Sequence, residues 1–208
     1  MDSIRIGIDF DNTIIDYREI FIKTVENFGW MKFDKVESKQ QIRDLIKALP
    51  EGDVKWMKLQ ALVYGELISQ APPTKGVIEF IKRCRHDSIP LFIISHKTEY
   101  VDLDGCRKNL RKAAFSWLKK HRFFDSNGLG FDKADVFFED SRIDKIKRIS
   151  KVGCTHFIDD LDDVLQDPEF PDGVMRILYD DKNSCFKEGF LSFIVQSKED
   201  KERICKYG

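Results

Sequence analysis

The sequence predicts an α/β protein, a parallel sheet covered by helices and interrupted after its first strand by a wholly helical insert. Two observations carry this. An apolar run, Ile4, Ile6 and Ile8, stops at Asp9-Phe10-Asp11-Asn12-Thr13 and resumes at Ile14 and Ile15. From Thr74 onward short apolar runs alternate with amphipathic stretches, the grammar of βαβ units. Between them, residues 16–71 carry helical periodicity and no convincing strand pattern.

Taken in order, the strand through Ile8 is imperfect for a doubly covered sheet, because Arg5 and Gly7 make it alternate. Tyr17–Trp30 reads as a helix with Ile20, Phe21, Val25 and Phe28 on one side. Ser38-x-x-Gln41 reads as a capping box opening a second, with Ile42, Leu45, Ile46 and Leu49 as its stripe. Pro50-Glu51-Gly52 breaks it. Asp53 is the expected cap of a third helix, Val54–Ser69, carrying Trp56, Met57, Leu62 and Leu67, and Pro72-Pro73 ends the insert. Lys75–His86 is a short amphipathic helix and Ile89–Ile94 a buried strand ending at Ser95. A polar loop, His96–Gly105, then leads into a long helix, Cys106–Lys120. Val136–Phe138, Cys154–Ile158 and Val174–Tyr179 are strands, with a helix over Arg142–Val152. In the tail from Glu188 to Gly208, Phe190, Phe193, Ile194 and Val195 are expected to dock on the body.

Composition narrows the function classes. Lys and Arg number 35 against 36 Asp and Glu, a net charge of −1, so global charge argues neither for nucleic acid nor for an anionic membrane. With 42% hydrophobic residues and 17 Phe, the chain can bury a core without staples. No apolar run approaches the ~20 residues of a membrane span, and no secretory pattern opens the chain. Five scattered cysteines without a C-x-x-C pair argue against a disulfide framework or zinc site, and for reduced, buried thiols in a cytoplasm.

Chemistry concentrates where strands end. Two carboxylates one residue apart repel unless something pairs with them. A divalent cation such as Mg²⁺, which takes oxygen ligands, removes that penalty. Ser95 and Asp159-Asp160 end two further strands, and in open α/β sheets ligands sit beyond the carboxyl ends. Lys145, early in the helix before Cys154–Ile158, adds a cation, in competition with Lys147 and Lys151. Acids, a hydroxyl, a lysine and further acids in this order resemble the four motifs of the haloacid dehalogenase (HAD) superfamily. The resemblance covers residues 1–15 and 74–180, and the insert resembles that superfamily's C1 type of cap.

The resemblance implies a Rossmann-like three-layer core, residues 1–15 and 72–208, with a small all-helical cap domain over 16–71. It makes Asp9 the nucleophile that forms an aspartyl-phosphate, and Asp11 the general acid and then base. Ser95 would hold phosphate oxygens, and Lys145 would neutralise charge. Asp9, Asp159 and the main-chain carbonyl of Asp11 would ligate Mg²⁺, with Asp160 a further ligand through water or an anchor. Asn12, Thr13, His96 and Lys97 are the candidate substrate contacts. Asp162 and Asp163 are expected to cap the helix through Leu165.

The expected activity is Mg²⁺-dependent hydrolysis of a small phosphorylated metabolite, since superfamily members keeping the second acid are phosphomonoesterases and mutases. A phosphomutase or nucleotidase using the same residues is the alternative, as is a non-catalytic phosphate- or metal-binding module. A receiver-type signalling domain shares paired acids, Ser/Thr and Lys but is shorter and lacks the insert. The segment Arg107–Arg122 packs seven basic residues, yet Leu110, Ala114, Trp117 and Leu118 form a core stripe, so a solvated face is expected rather than an RNA-binding one. Trp30, Trp56 and Tyr64 are read as substrate contacts or as packing between insert and core.

Overall fold

A computed structural model describes residues 3–35, 38–103, 105–179, 186 and 204–206. In chain order its elements are β1 (Ile6–Ile8), α1 (Arg18–Asn27), α2 (Lys39–Lys47), α3 (Gly52–Tyr64), α4 (Val77–His86), β2 (Leu91–His96), β3 (Tyr100–Leu103) and β4 (Cys106–Asn109). There follow α5 (Leu110–Lys120), β5 (Val136–Glu139), α6 (Arg142–Lys151), β6 (His156–Asp159), α7 (Asp162–Leu165), β7 (Met175–Leu178) and β8 (Ile204–Lys206). Single 3₁₀ turns lie at Ile68–Gln70 and Lys133–Asp135.

The six-stranded sheet runs β5-β2-β1-β6-β7-β8 with every pair parallel. One face packs α4 and α5 through residues such as Phe80 and Trp117, and the other packs α6 and α7 through Ile146, Ile149 and Val164; α1 packs within the insert, its Phe21 against Trp56 and Tyr64. This is the three-layer α/β arrangement expected. β1 lies at the centre, between β2 and β6, which explains its alternation. Ile6 and Ile8 face the first core, while a Cβ on Gly7 would lie 2.6 Å from the Phe157 ring and 2.9 Å from Cys154 Sγ. The missing side chain is the space Phe157 fills. Arg5 lies just before the strand, where its guanidinium donates to the Val152 carbonyl at 2.7 and 3.0 Å and covers the Phe92 ring.

The helical insert leaves and rejoins the core at one point. Asp16 N donates to the Pro72 carbonyl and Thr74 N to that of Ile14, and Ile15 bridges to Pro73. α2 begins as expected: Ser38 is its N-cap and accepts from Gln41 N at 3.3 Å. Other details differ. Glu51 at φ 56°, not Asp53, precedes α3, and Asp53 pairs instead with Lys47. Phe28, Leu45 and Met57 were expected in apolar stripes but are exposed. Phe28 stacks on Trp30 just after α1 ends. Asp162 and Asp163 lie in the first turn of α7, and neither side chain caps it.

The largest departure follows β2. The loop expected over His96–Gly105 and the first turns of the helix expected from Cys106 form an antiparallel hairpin, β3–β4, pairing Tyr100 with Asn109. Helix α5 starts only at Leu110, with the Asn109 side chain accepting from Lys112 N at 2.7 Å. A run with Cys106, Arg107 and Lys108 has no strand alternation to announce it, because the hairpin stands apart from the main sheet and no residue of β4 is buried. Cys106 is correspondingly exposed, against its expected burial, whereas Cys84 and Cys154 are buried and their thiols pushed up to about 12 by desolvation. Phe190, Phe193, Ile194 and Val195 lie outside the described residues. No described helix is long and apolar enough to cross a membrane.

Candidate active site

The parallel register brings the strand ends level. Ile8 pairs with Ile158 and Ile93, so Asp9, Ser95 and Asp159 emerge at the same edge, and Asp9 N donates to the Ile158 carbonyl at 2.9 Å. β1 then turns sharply: Asn12 takes φ 64°, a left-handed conformation that Asn tolerates, and its N–H reaches the Ile15 carbonyl. This turn raises Asp11 beside Asp9.

Lys145 joins the first and last acids. α6 is capped by Ser141, whose hydroxyl accepts from Asp144 N at 3.1 Å, and this start aims the helix's first turn at the strand ends. The Lys145 ammonium, 2% exposed, lies 2.5 Å from Asp9 Oδ1 and 2.6 Å from Asp159 Oδ2. Of Lys145, Lys147 and Lys151, it is Lys145 that is buried there. Burial alone would lower its pKa, but the charges of Asp159 and Asp9 outweigh this and hold it above the ordinary lysine range. Burial raises the Asp159 carboxyl to about 6, with Asp9 adding to the rise and Lys145 opposing it. Asp160 is raised as well, by desolvation and then by Asp9.

Carboxylate oxygens of Asp9, Asp159 and Asp160 lie within 4.8 Å of one another. Three carboxylates are set against the Lys145 ammonium, with the charge of Lys39 also acting on Asp160, and an excess of carboxylates remains in a desolvated site. Asp159 Oδ1 accepts from Leu161 N at 3.0 Å, and Oδ2 is held by the Lys145 ammonium at 2.6 Å. Clustered carboxylates form an all-oxygen, anionic donor set of the kind that fits a hard divalent cation.

Asp11 is held separately. Lys97 Nζ donates to both its oxygens at 2.8 and 2.9 Å, and the Tyr17 hydroxyl donates to Oδ1 at 2.8 Å. The backbone of Lys97 is fixed in turn. Its N–H reaches the Glu139 carbonyl, and its own carbonyl accepts from Arg111 Nε at 2.9 Å, while Arg111 also grips Asp140. Lys97 thus binds Asp11, and it also lines the cavity in which a substrate contact was expected of it.

Asp9, Asp11, Ser95, Lys97, Lys145 and Asp160 form the floor of a cavity of about 850 Å³, lined also by Asn12, His96, Lys39, Tyr64 and residues of α3, with Asp159 buried beneath it. Thr13 is fully buried and does not line it, so its side chain makes no contact there of the kind expected. Of the three insert aromatics only Tyr64 lines the cavity, its ring packed on Tyr17 and Phe21; Trp56 is stacked on Phe21. Sequence reasoning passed over Tyr17, Lys39 and Arg111. Tyr17 is five residues beyond Asn12 and offered a phenol at the first turn of the insert. Arg111 was counted with a solvated basic face, and no local pattern separates it from its neighbours.

No protein-family model and no curated protein sequence matches the chain. Among solved structures, it resembles a HAD hydrolase of family IA, variant 3, from Entamoeba histolytica at 12% identity and TM-score 0.56, covering 96% of this chain and 99% of that one. It resembles a haloacid dehalogenase-like family hydrolase from Xanthomonas campestris at 11% identity and TM-score 0.54, over 97% and 99%. A HAD-superfamily hydrolase of subfamily IA, variant 1, from Geobacter sulfurreducens aligns at 13% identity and TM-score 0.51, over 85% and 87%. The likeness extends over 85% or more of this chain in each case, and the chain has the fold of these HAD-superfamily hydrolases.

Proposed function

We propose that the chain is a Mg²⁺-dependent phosphomonoester hydrolase of the HAD superfamily, acting on a small phosphorylated metabolite. The observation that carries this is Lys145, buried between Asp9 and Asp159 at 2.5 and 2.6 Å on the floor of an open cavity. An anionic nucleophile attacks an anionic phosphoryl group only where charge is cancelled, and phosphoryl transfer asks the protein chiefly for that and for positioning.

In this reading a carboxylate oxygen of Asp9 attacks phosphorus in line, and the bond from phosphorus to the leaving oxygen breaks. Asp11 gives that oxygen a proton, so the alcohol departs and Asp9 carries the phosphoryl group. Asp11 then takes a proton from water, whose oxygen attacks the same phosphorus and releases Asp9 and inorganic phosphate. Ser95 and the Lys145 ammonium bind the non-bridging oxygens throughout. Tyr17 and Lys97 orient Asp11 over the cavity. Asp9, Asp159, Asp160 and the Asp11 carbonyl would hold Mg²⁺, which supplies Lewis-acid charge neutralisation when bound. Residues 16–71 act as a cap over the core of 1–15 and 72–208.

The test is release of inorganic phosphate from a generic aryl phosphate and from a panel of nucleotides, sugar phosphates and phospho-amino acids, with and without Mg²⁺. Turnover that EDTA stops and added Mg²⁺ restores is expected, abolished in Asp9→Asn. A protein that binds Mg²⁺ yet hydrolyses nothing across the panel would be a phosphate- or metal-binding module instead. Return of the phosphoryl group to a second substrate position would identify a mutase.

A further inference from the structure

Above its acid floor the cavity changes character. On α3, Val54, Met57 and Ala61 recur at helical spacing on one face and all line the cavity. Val54 is 60% exposed and Met57 61%, high values for large aliphatic side chains on a helix whose opposite side is packed. Leu161, after β6, is 50% exposed and lines the cavity beside the acids. The hairpin and the start of α5 add Val101 and Leu110. Val54, Met57 and Leu161 are left uncovered among the described residues at the mouth of a polar site, and such exposed apolar patches mark ligand contacts.

The aromatic residue present is not a free stacking platform. Lys97 Nζ lies 5.0 Å and Lys39 Nζ 5.4 Å from the centre of the Tyr64 ring, and Tyr17 and Phe21 pack against it. The surface that α3 offers a ligand at Val54, Met57 and Ala61 is therefore aliphatic. Polar side chains line other parts of the cavity, among them Lys39, Lys58, Gln60, His96, Thr98 and Asp102. A polyol seated against the α3 face would bury hydroxyls beside side chains that offer them no partner, and that face discriminates against it. At about 850 Å³ the cavity holds much more than a phosphate group.

We propose that the group attached to the phosphate is a hydrocarbon, alkyl or aryl, seated against Val54, Met57 and Ala61, with Val101 and Leu110 completing its enclosure. The inference rests on the hydrolase reading above and narrows its substrate class from any small phosphomonoester to amphiphilic ones. The phosphate sits at the strand ends, and the apolar leaving group covers the exposed side chains of α3.

The experiment measures kcat/KM for phosphate release from ethyl, butyl and hexyl phosphate, with glycerol 3-phosphate as the polyol. Each methylene buried is worth roughly two- to fourfold, so hexyl phosphate should exceed ethyl phosphate by at least about tenfold and glycerol 3-phosphate by more. In the double variant Val54→Ser, Met57→Ser the hexyl-to-ethyl ratio should collapse to within about threefold of one. A flat series in the wild type, preference for glycerol 3-phosphate, or a ratio unchanged in the double variant would overturn the proposal. If no member is hydrolysed with Mg²⁺ present, the aryl phosphate and the wider panel decide the hydrolase reading, and calorimetry decides the apolar wall by itself. Hexylphosphonate binding at least about tenfold tighter than ethylphosphonate supports it, and equal affinities refute it.

Discussion

At the strand ends Asp9, Lys145 and Asp159 are no more than 3% exposed and lie within 2.6 Å of their partners, whereas Val54 and Met57, facing the same cavity from α3, leave about three-fifths of their surface in water. The floor is desolvated before any ligand arrives, and its charges are already placed. The wall above it is not, and its apolar surface gains only when something covers it. The contrast separates two tasks. Charge neutralisation has to be in position before an anion enters, because reorganising dipoles during the reaction would cost rate. Recognition of an apolar group can wait for binding, since burying hydrocarbon is favourable wherever the contact forms.

Three substitutions would test this contrast. The largest effect is expected from Lys145→Met, which leaves Asp9 and Asp159 buried together without their cation. A broken buried ion pair costs about 3–5 kcal/mol, so thermal denaturation should fall by roughly 10 °C or more, and added Mg²⁺ should recover part of it. An unaltered melting temperature would mean that the floor is less desolvated than it looks. Next comes Lys97→Met, which removes the ammonium holding both oxygens of Asp11 while retaining bulk beside Tyr64. Steady-state kinetics should show kcat lowered on the order of a hundredfold with KM changed far less, as for a residue that orients the acid rather than binds substrate. A rise in KM alone would instead return Lys97 to the substrate-contact role its sequence position suggested. The smallest effect belongs to the wall: Met57→Ser should shift stability by no more than about 0.5 kcal/mol in urea unfolding. A large loss would place Met57 in the packed core and remove the comparison.

Much of the floor was legible in the chain because its signals are local. An apolar strand stopping at Asp9-Phe10-Asp11, another stopping at Ser95 and a third at Asp159 are each readable within a few residues. The helical insert was readable for the same reason, as was the Ser38 cap. The hairpin was not. Tyr100–Leu103 and Cys106–Asn109 pair with each other and with no third strand among the described residues; β4 buries no residue that would impose alternation, and Arg107 and Lys108 read as the start of a helix. The apolar stripes of α1, α2 and α3 were misjudged at Phe28, Leu45 and Met57 for a related reason. Periodicity says which residues share a face, while only the packed neighbours say how far that face is covered.

The sequence alone therefore determined the alternation of strands and helices, the position of the insert and the acids that end β1 and β6, because hydrophobic periodicity and strand-end chemistry act over short stretches of chain. The tertiary structure decided which cation meets which acid. Lys145 reaches Asp9 and Asp159 across 136 and 14 residues, and Lys97 reaches Asp11 across 86. Such pairings depend on parallel register and on where α6 and the hairpin return to the sheet. Coulombic attraction between two side chains depends on their separation in space and on the water between them, neither of which is written in their spacing along the chain.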